Sequence, residues 1–218
     1  MSQLFGPAAN TIARASVIGV LALLIAGAGL GYHFVHSPYV TAVGIAVAQP
    51  VPYSHAQHVG GLGLDCRYCH TAVETSNSAS IPPTESCMGC HSQVAKDSPA
   101  LATVRASQET GTPLEWMRVH DLADYVYFNH AIHVRQGIGC ENCHGRVDQM
   151  AVVAKAEPLQ MAWCLECHRD PAAYIRPRDA VTEMGYQPSV DQSVLGPQLV
   201  AEYGVETARL SDCSVCHR

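Results

Sequence analysis

All ten cysteines of this sequence lie in five copies of one motif, a cysteine pair separated by two residues and followed at once by a histidine. Two thiols at this spacing can form thioether bonds to both vinyl groups of one porphyrin, and the adjacent histidine can then ligate the iron. The motifs therefore predict five covalently bound c-type haems. Numbered in chain order, they are site 1 (Cys66, Cys69, His70), site 2 (Cys87, Cys90, His91), site 3 (Cys140, Cys143, His144), site 4 (Cys164, Cys167, His168) and site 5 (Cys213, Cys216, His217).

Two other uses of paired cysteines explain the pattern less well. Zinc ribbons also contain such pairs, but a zinc site needs four ligands and no histidine directly after the second cysteine. Disulfides are open to cysteines outside the cytoplasm, and they do not require that histidine either. Because all five pairs carry it, we interpret them as haem attachment sites.

The remaining histidines are the candidates for the second axial ligand on each iron. Seven lie outside the motifs, and His33 and His36 are explained by the polar edge of a membrane helix. The other five match the number of haems, and they are His55, His58, His120, His130 and His133. Four of them form two pairs at i, i+3 spacing, so that both rings of a pair project from one helical turn. Such a turn can serve two neighbouring haems.

Site 5 raises a separate question, because only Arg218 follows His217. We expect its second ligand to come from upstream, and two candidates stay open, His120 and Met184. A histidine–methionine pair would raise the reduction potential of this haem relative to a pair of histidines.

An internal repeat organises the haem-bearing part of the chain. "YSHAQHV" and "FNHAIHV" each place an aromatic residue and H-x-x-H before a glycine-containing stretch and a haem site, and a second site follows in each case. The repeat predicts two dihaem units, 53–94 and 125–171, joined by a helix and turn within 98–118. The tail 172–218 carries site 5, with a helix expected after 196–198.

The N-terminal part predicts a membrane anchor. Residues 15–35 carry no formal charge and match the roughly 20 residues needed to cross the hydrocarbon. Asn10 or Thr11 is expected to cap the helix and Pro38 to stop it. A cleaved signal peptide is the alternative. We expect residues 1–36 to be retained as a single transmembrane segment.

Two arguments predict the orientation of that segment. Arg14 is the only basic residue before the span and Arg67 is the next one, which places the N-terminus in the cytoplasm. Covalent haem attachment takes place outside the cytoplasm, which places the haem-bearing part in the periplasm. We therefore expect a single-pass protein of the bacterial cytoplasmic membrane.

Residues 37–52 are expected to form a linker, and residues 53–218 the haem-bearing part. About a fifth of this part is available to enclose each haem, which is too short a segment to form an ordinary aliphatic core. The expected fold is a mainly α and irregular multihaem cytochrome c, with an N-terminal transmembrane helix and an extracytoplasmic domain wrapped around five c-type haems. The sequence contains no phosphate loop, Ser/His/Asp signature or basic tract. Its net charge of −6 suits an acidic surface that attracts a basic redox partner.

The aromatic-x-H-x-x-H arrangement before a haem site resembles that of the class III multihaem cytochromes. There the first histidine serves the haem attached just downstream and the second serves a neighbour. The resemblance implies His55 on the haem of site 1 and His130 on that of site 3. It implies that His58 and His133 serve two of the other haems.

The combination of one N-terminal span, five haem sites and "WMRVHDLADYVYFNHAIHV" over 116–134 resembles the pentahaem subunits of alternative complex III. The resemblance implies an electron-transfer subunit without a catalytic site of its own. Its implied partners are an iron–sulfur protein, polytopic quinone-binding subunits, a monohaem cytochrome c and a periplasmic electron acceptor. Such a complex oxidises menaquinol.

Two alternatives remain. A membrane-anchored quinol dehydrogenase would pass electrons to one periplasmic reductase instead. A catalytic multihaem reductase for nitrite or sulfur oxyanions would need an open iron position, whereas this chain has enough histidines and methionines to close every haem. The sequence therefore favours an electron relay.

Overall fold

The computed structural model of the protein describes residues 5–217. Within that range the fold consists of short helices and irregular segments, and contact between extended segments is limited to isolated bridges. The α-helices are Ala9–Val35, Pro38–Thr41, Cys66–Cys69, Thr84–His91, Ala102–Thr110, His130–Arg135, Cys140–His144, Met161–Arg169, Gln192–Glu202 and Cys213–Cys216. A π-helix covers Ala56–Gly61, and 3-10 turns cover Pro99–Leu101, Val147–Gln149, Pro171–Ala173, Arg178–Ala180 and Thr207–Arg209. The mainly helical and irregular character predicted from the sequence is confirmed.

The chain divides into two units, the first ending at Ala42 and the second beginning at Val43. The first unit contains the 27-residue helix Ala9–Val35, which is apolar and has no buried residue. By length and composition it can cross a membrane, a test that an N-terminal signal sequence also passes.

The ends of that helix differ from the prediction. It begins at Ala9, with Ala8 as its N-cap and no side-chain cap, so neither Asn10 nor Thr11 caps it. Alanine has the highest helix propensity, which extends the helix upstream of both polar residues. Pro38 does not simply end regular structure, because it occupies the first position of the short helix Pro38–Thr41, where a proline lacks no needed donor.

The two predicted dihaem units make reciprocal backbone contacts. The amides of His130 and Ala131 donate to the carbonyls of Asn77 and Ser76, at 3.2 and 3.1 Å. In return, the amide of Ala56 donates to the carbonyl of Met150 at 3.0 Å. Each H-x-x-H turn is therefore capped by a loop of the other unit.

The tail contains the expected helix, but its start was predicted wrongly. It covers Gln192–Glu202 and therefore includes Pro197, because the Asp191 carboxylate accepts from the Ser193 amide and caps the helix upstream of that proline. Gly196 packs so closely on the Ala172 carbonyl that a Cβ would overlap it.

Few apolar side chains of the described residues are buried, and most are small. They are Val51, Val73, Val104, Ala131, Ile175, Ala180, Val181 and Leu199. Protein interiors are close-packed, so a fold of this length requires further apolar volume between its helices. Porphyrin rings supply volume of that kind.

Candidate haem-binding centre

The helical turns present the paired cysteines in the geometry that haem attachment requires. The helices at sites 1, 3 and 5 begin at the first cysteine of the motif, and those at sites 2 and 4 begin three residues before it. Residues three apart in a helix share one face, so both thiols of a pair project to the same side. At site 1 the Asp65 carboxylate fixes the start of the turn by accepting from the Arg67 amide at 2.8 Å.

Four of the five motif histidines are held by a hydrogen bond between Nδ1 and a backbone carbonyl. The pairs are His70 with Ser80 at 2.7 Å, His91 with Val94 at 2.9 Å, His168 with Leu210 at 2.8 Å and His217 with Tyr125 at 3.1 Å. Histidine ligands of metals characteristically donate their second ring N–H in this way, which leaves Nε2 for the metal. Except for that of Val94, which lies three residues after His91, these carbonyls come from more distant segments, so no sequence signal identified them.

The two H-x-x-H turns orient their second histidine identically. His58 Nδ1 bonds the Ser54 carbonyl and His133 Nδ1 bonds the Asn129 carbonyl, both at 2.8 Å. The aromatic residue before each turn stacks on the same ring, at 4.4 Å between ring centres for Tyr53 on His58. The corresponding distance in the second unit is 4.5 Å. The aromatic residue noted in the repeat therefore has a positioning role.

Three histidine pairs stand at the separation that one iron requires. Two imidazoles bound through nitrogen on opposite sides of one metal, each at about 2.0–2.1 Å, have ring centres about 6.3 Å apart. The observed pairs are His58 and His91 at 6.1 Å, His130 and His144 at 6.3 Å, and His133 and His168 at 6.2 Å. The residues present thus fit six-coordinate haems at sites 2, 3 and 4.

His120 lies beside site 3, with its ring centre 4.3 Å from that of His144. This distance is too short for both rings to bind opposite faces of one iron, whereas His130 stands at the required distance. The Nε2 atom of His120 is buried without a hydrogen-bond partner. Burial, with the nearby histidines, lowers the pKa of His144 to about 3, so this imidazole is neutral and able to bind a metal at pH 7.

The two other predicted ligands, His55 and Met184, lie near site 1. His55 is largely buried, and that burial, followed by the charge of His70, lowers its pKa to about 4. Met184 lines a cavity with Val59, Leu64 and other residues around site 1. The structure thus brings neither His120 nor Met184 to site 5, where the ring of Tyr125 lies 5.8 Å from that of His217. The assignment of individual distal ligands stays a prediction.

Sequence reasoning missed a buried ion pair beneath site 3. Arg176, with only 7% of its side chain exposed, donates to the Glu141 carboxylate and to the Asn142 side-chain oxygen, both at 2.9 Å. Both partners lie between the two cysteines of site 3. A Cβ at Gly139 would overlap the guanidinium, so this glycine allows the close approach.

Comparison with known proteins agrees with this geometry. Residues 126–218 match the family described as cytochrome c7 and related cytochrome c. The matched part of the chain is similar to multihaem cytochromes c. It contains sites 3, 4 and 5, and c-type haems held at such sites supply one-electron redox chemistry.

A relative of this chain is found in Nitratidesulfovibrio vulgaris (Hildenborough), where it is named the multihaem cytochrome c subunit of menaquinone reductase. The two sequences are 36% identical over 97 residues, which is 44% of this chain and 45% of the relative. The matched region thus spans less than half the length of that relative.

Proposed function

We propose that this protein is a membrane-anchored pentahaem cytochrome c that relays electrons between the menaquinone pool and a periplasmic redox partner. Helix Ala9–Val35 is its anchor, with the N-terminus in the cytoplasm, and the five sites lie in the periplasm. Each site binds one haem covalently.

The observation that carries this proposal is the pairing of histidine rings at 6.1–6.3 Å at sites 2, 3 and 4. An iron held on both sides by imidazole has no position for a substrate, so it exchanges electrons without binding one. The hydrogen bonds from Nδ1 to backbone carbonyls keep the rings in place in both oxidation states. This arrangement favours a relay over a catalytic reductase.

The complex that we propose resembles alternative complex III, with an iron–sulfur protein, polytopic quinone-binding subunits and a monohaem cytochrome c as partners. Menaquinol oxidation releases two electrons and two protons, and the electrons pass one at a time to ferric haems. The name of the relative, menaquinone reductase, supports a link to menaquinone and favours the opposite direction of flow. Both directions use the same sites.

The test is purification of the full chain from membranes with its haems and partners. Five covalent haems by mass, low-spin spectra unaltered by nitrite or cyanide, and co-purification of quinone-binding subunits are the expected results. Reduction by a menaquinol analogue, or oxidation of the reduced haems by menaquinone, establishes the direction. A high-spin haem that responds to nitrite, or a chain indifferent to both quinone forms, would contradict the proposal.

A further inference from the structure

We propose that the five sites form one linear row, called the file below, in the order site 2, site 1, site 3, site 4, site 5. Redox partners bind at its two ends. The inference rests on the proposed function and adds the route, which the order of the motifs along the chain does not give. Site 3 becomes the only link between two halves of the file.

Site 2 adjoins site 1 through shared aromatic contacts. The ring of Tyr53 contacts His55 edge-on at 4.8 Å and stacks on His58 at 4.4 Å, and His58 faces His91 of site 2. Tyr68, inside the motif of site 1, reaches Gly89, inside the motif of site 2, with its hydroxyl 3.7 Å from the position of a Cβ there. The two motifs therefore lie next to each other.

Site 1 adjoins site 3 through the loop that follows it. The carbonyl of Ser80 holds His70 of site 1, and the carbonyl of Asn77 in the same loop holds His130 at 2.9 Å. His130 in turn faces His144 of site 3, with the two ring planes only 13° apart. Cys66 of site 1 and Cys140 of site 3 are also close enough to affect each other electrostatically.

Site 3 adjoins site 4 through one helical turn. Phe128 contacts the rings of both His130 and His133, at 4.7 and 4.5 Å. His130 faces site 3 and His133 faces His168 of site 4, at 6.2 Å. Because His130 and His133 project from one helical turn, the two sites that they face are neighbours.

Site 4 adjoins site 5 through the carbonyl of Leu210. This carbonyl accepts from His168 at 2.8 Å and lies three residues before Cys213. On its other side, site 5 is held by the segment before the second H-x-x-H turn, where the Tyr127 amide donates to the Cys216 carbonyl at 2.8 Å. In the proposed order site 5 is the end of the file.

Exposure distinguishes the ends of the file from its middle. Of the ten cysteines, Cys90 of site 2 and Cys213 of site 5 are exposed, and the others are partly buried. Solvent-accessible haem attachment at both ends suits electron exchange with a redox protein or a quinone-binding subunit at each.

The test compares variants that each lack one haem, assayed as full chains in membranes by stopped-flow reduction with a menaquinol analogue. In C140A/C143A, which removes site 3, we expect two of the four remaining haems to be reduced in the fast phase. The control is C213A/C216A or C87A/C90A, whichever removes the haem at the end remote from the electron donor. In this variant we expect all four remaining haems to be reduced in the fast phase. Fast reduction of all four haems in C140A/C143A would overturn the single file.

A second measurement covers the case in which C140A/C143A does not fold. An experimental structure of the wild-type complex must show iron neighbours in the proposed order, and any other nearest neighbours would overturn it. Failure of the proposed function is recognised separately, because wild-type haems would then exchange no electrons with menaquinol or menaquinone.

Discussion

Replacing Arg176 by methionine tests whether the ion pair beneath site 3 stabilises the fold. The side chains of Arg176 and Glu141 are only 7% and 15% exposed and lie 2.9 Å apart. Methionine fills most of the volume but leaves the Glu141 carboxylate buried without its cation. Breaking a buried pair in this way destabilises by about 3–5 kcal/mol. For a protein of this size the melting temperature then falls by about 6–20 °C.

The assay is urea unfolding of the haem-loaded chain in detergent, followed by far-UV circular dichroism. The matched control is R118M, since the Arg118–Asp121 pair is 76% and 66% exposed and its loss costs less than about 1 kcal/mol. The double variant R176M/E141M should lose less stability than the two single variants together, because no unpaired carboxylate remains. If R176M is no less stable than R118M, the pair does not hold this part of the fold.

Two further results are expected. G60A destabilises the fold by about 1–3 kcal/mol because its methyl group overlaps the Asp148 carbonyl oxygen. A Cβ at Gly61 would have its nearest atom 3.7 Å away, so G61A is the matched control. The midpoint of urea unfolding should therefore be lower for G60A than for G61A. H133M replaces one imidazole at site 4 and raises the reduction potential of a single haem. If a potentiometric titration of this variant matches that of the wild type, His133 is not an axial ligand.

Much of the chemistry depends on residues that lie close together in the sequence, and these residues were predicted from the sequence. Cysteines at i and i+3 with a following histidine specify a haem site within five residues, since one helical turn places both thiols on one face. The two H-x-x-H turns and their preceding aromatic residues, Tyr53 and Phe128, were visible as a repeat. The apolar run up to Val35 was visible as a helix that can cross a membrane, although its start at Ala9 was not.

Long-range packing decided the rest. The carbonyls that hold His70, His168 and His217 lie 10, 42 and 92 residues away, and no local pattern encodes contacts of that length. The position of His120 beside His144 rather than site 5 also depends on how the two dihaem units meet.

By itself, the sequence determined which residues can hold haems, because bonds to one porphyrin are made within one turn of the chain. Only the tertiary structure decided which imidazoles face each other, which sites adjoin and where Arg176 is buried. Those relations depend on contacts between segments far apart in the chain, and such contacts form only when the whole domain packs.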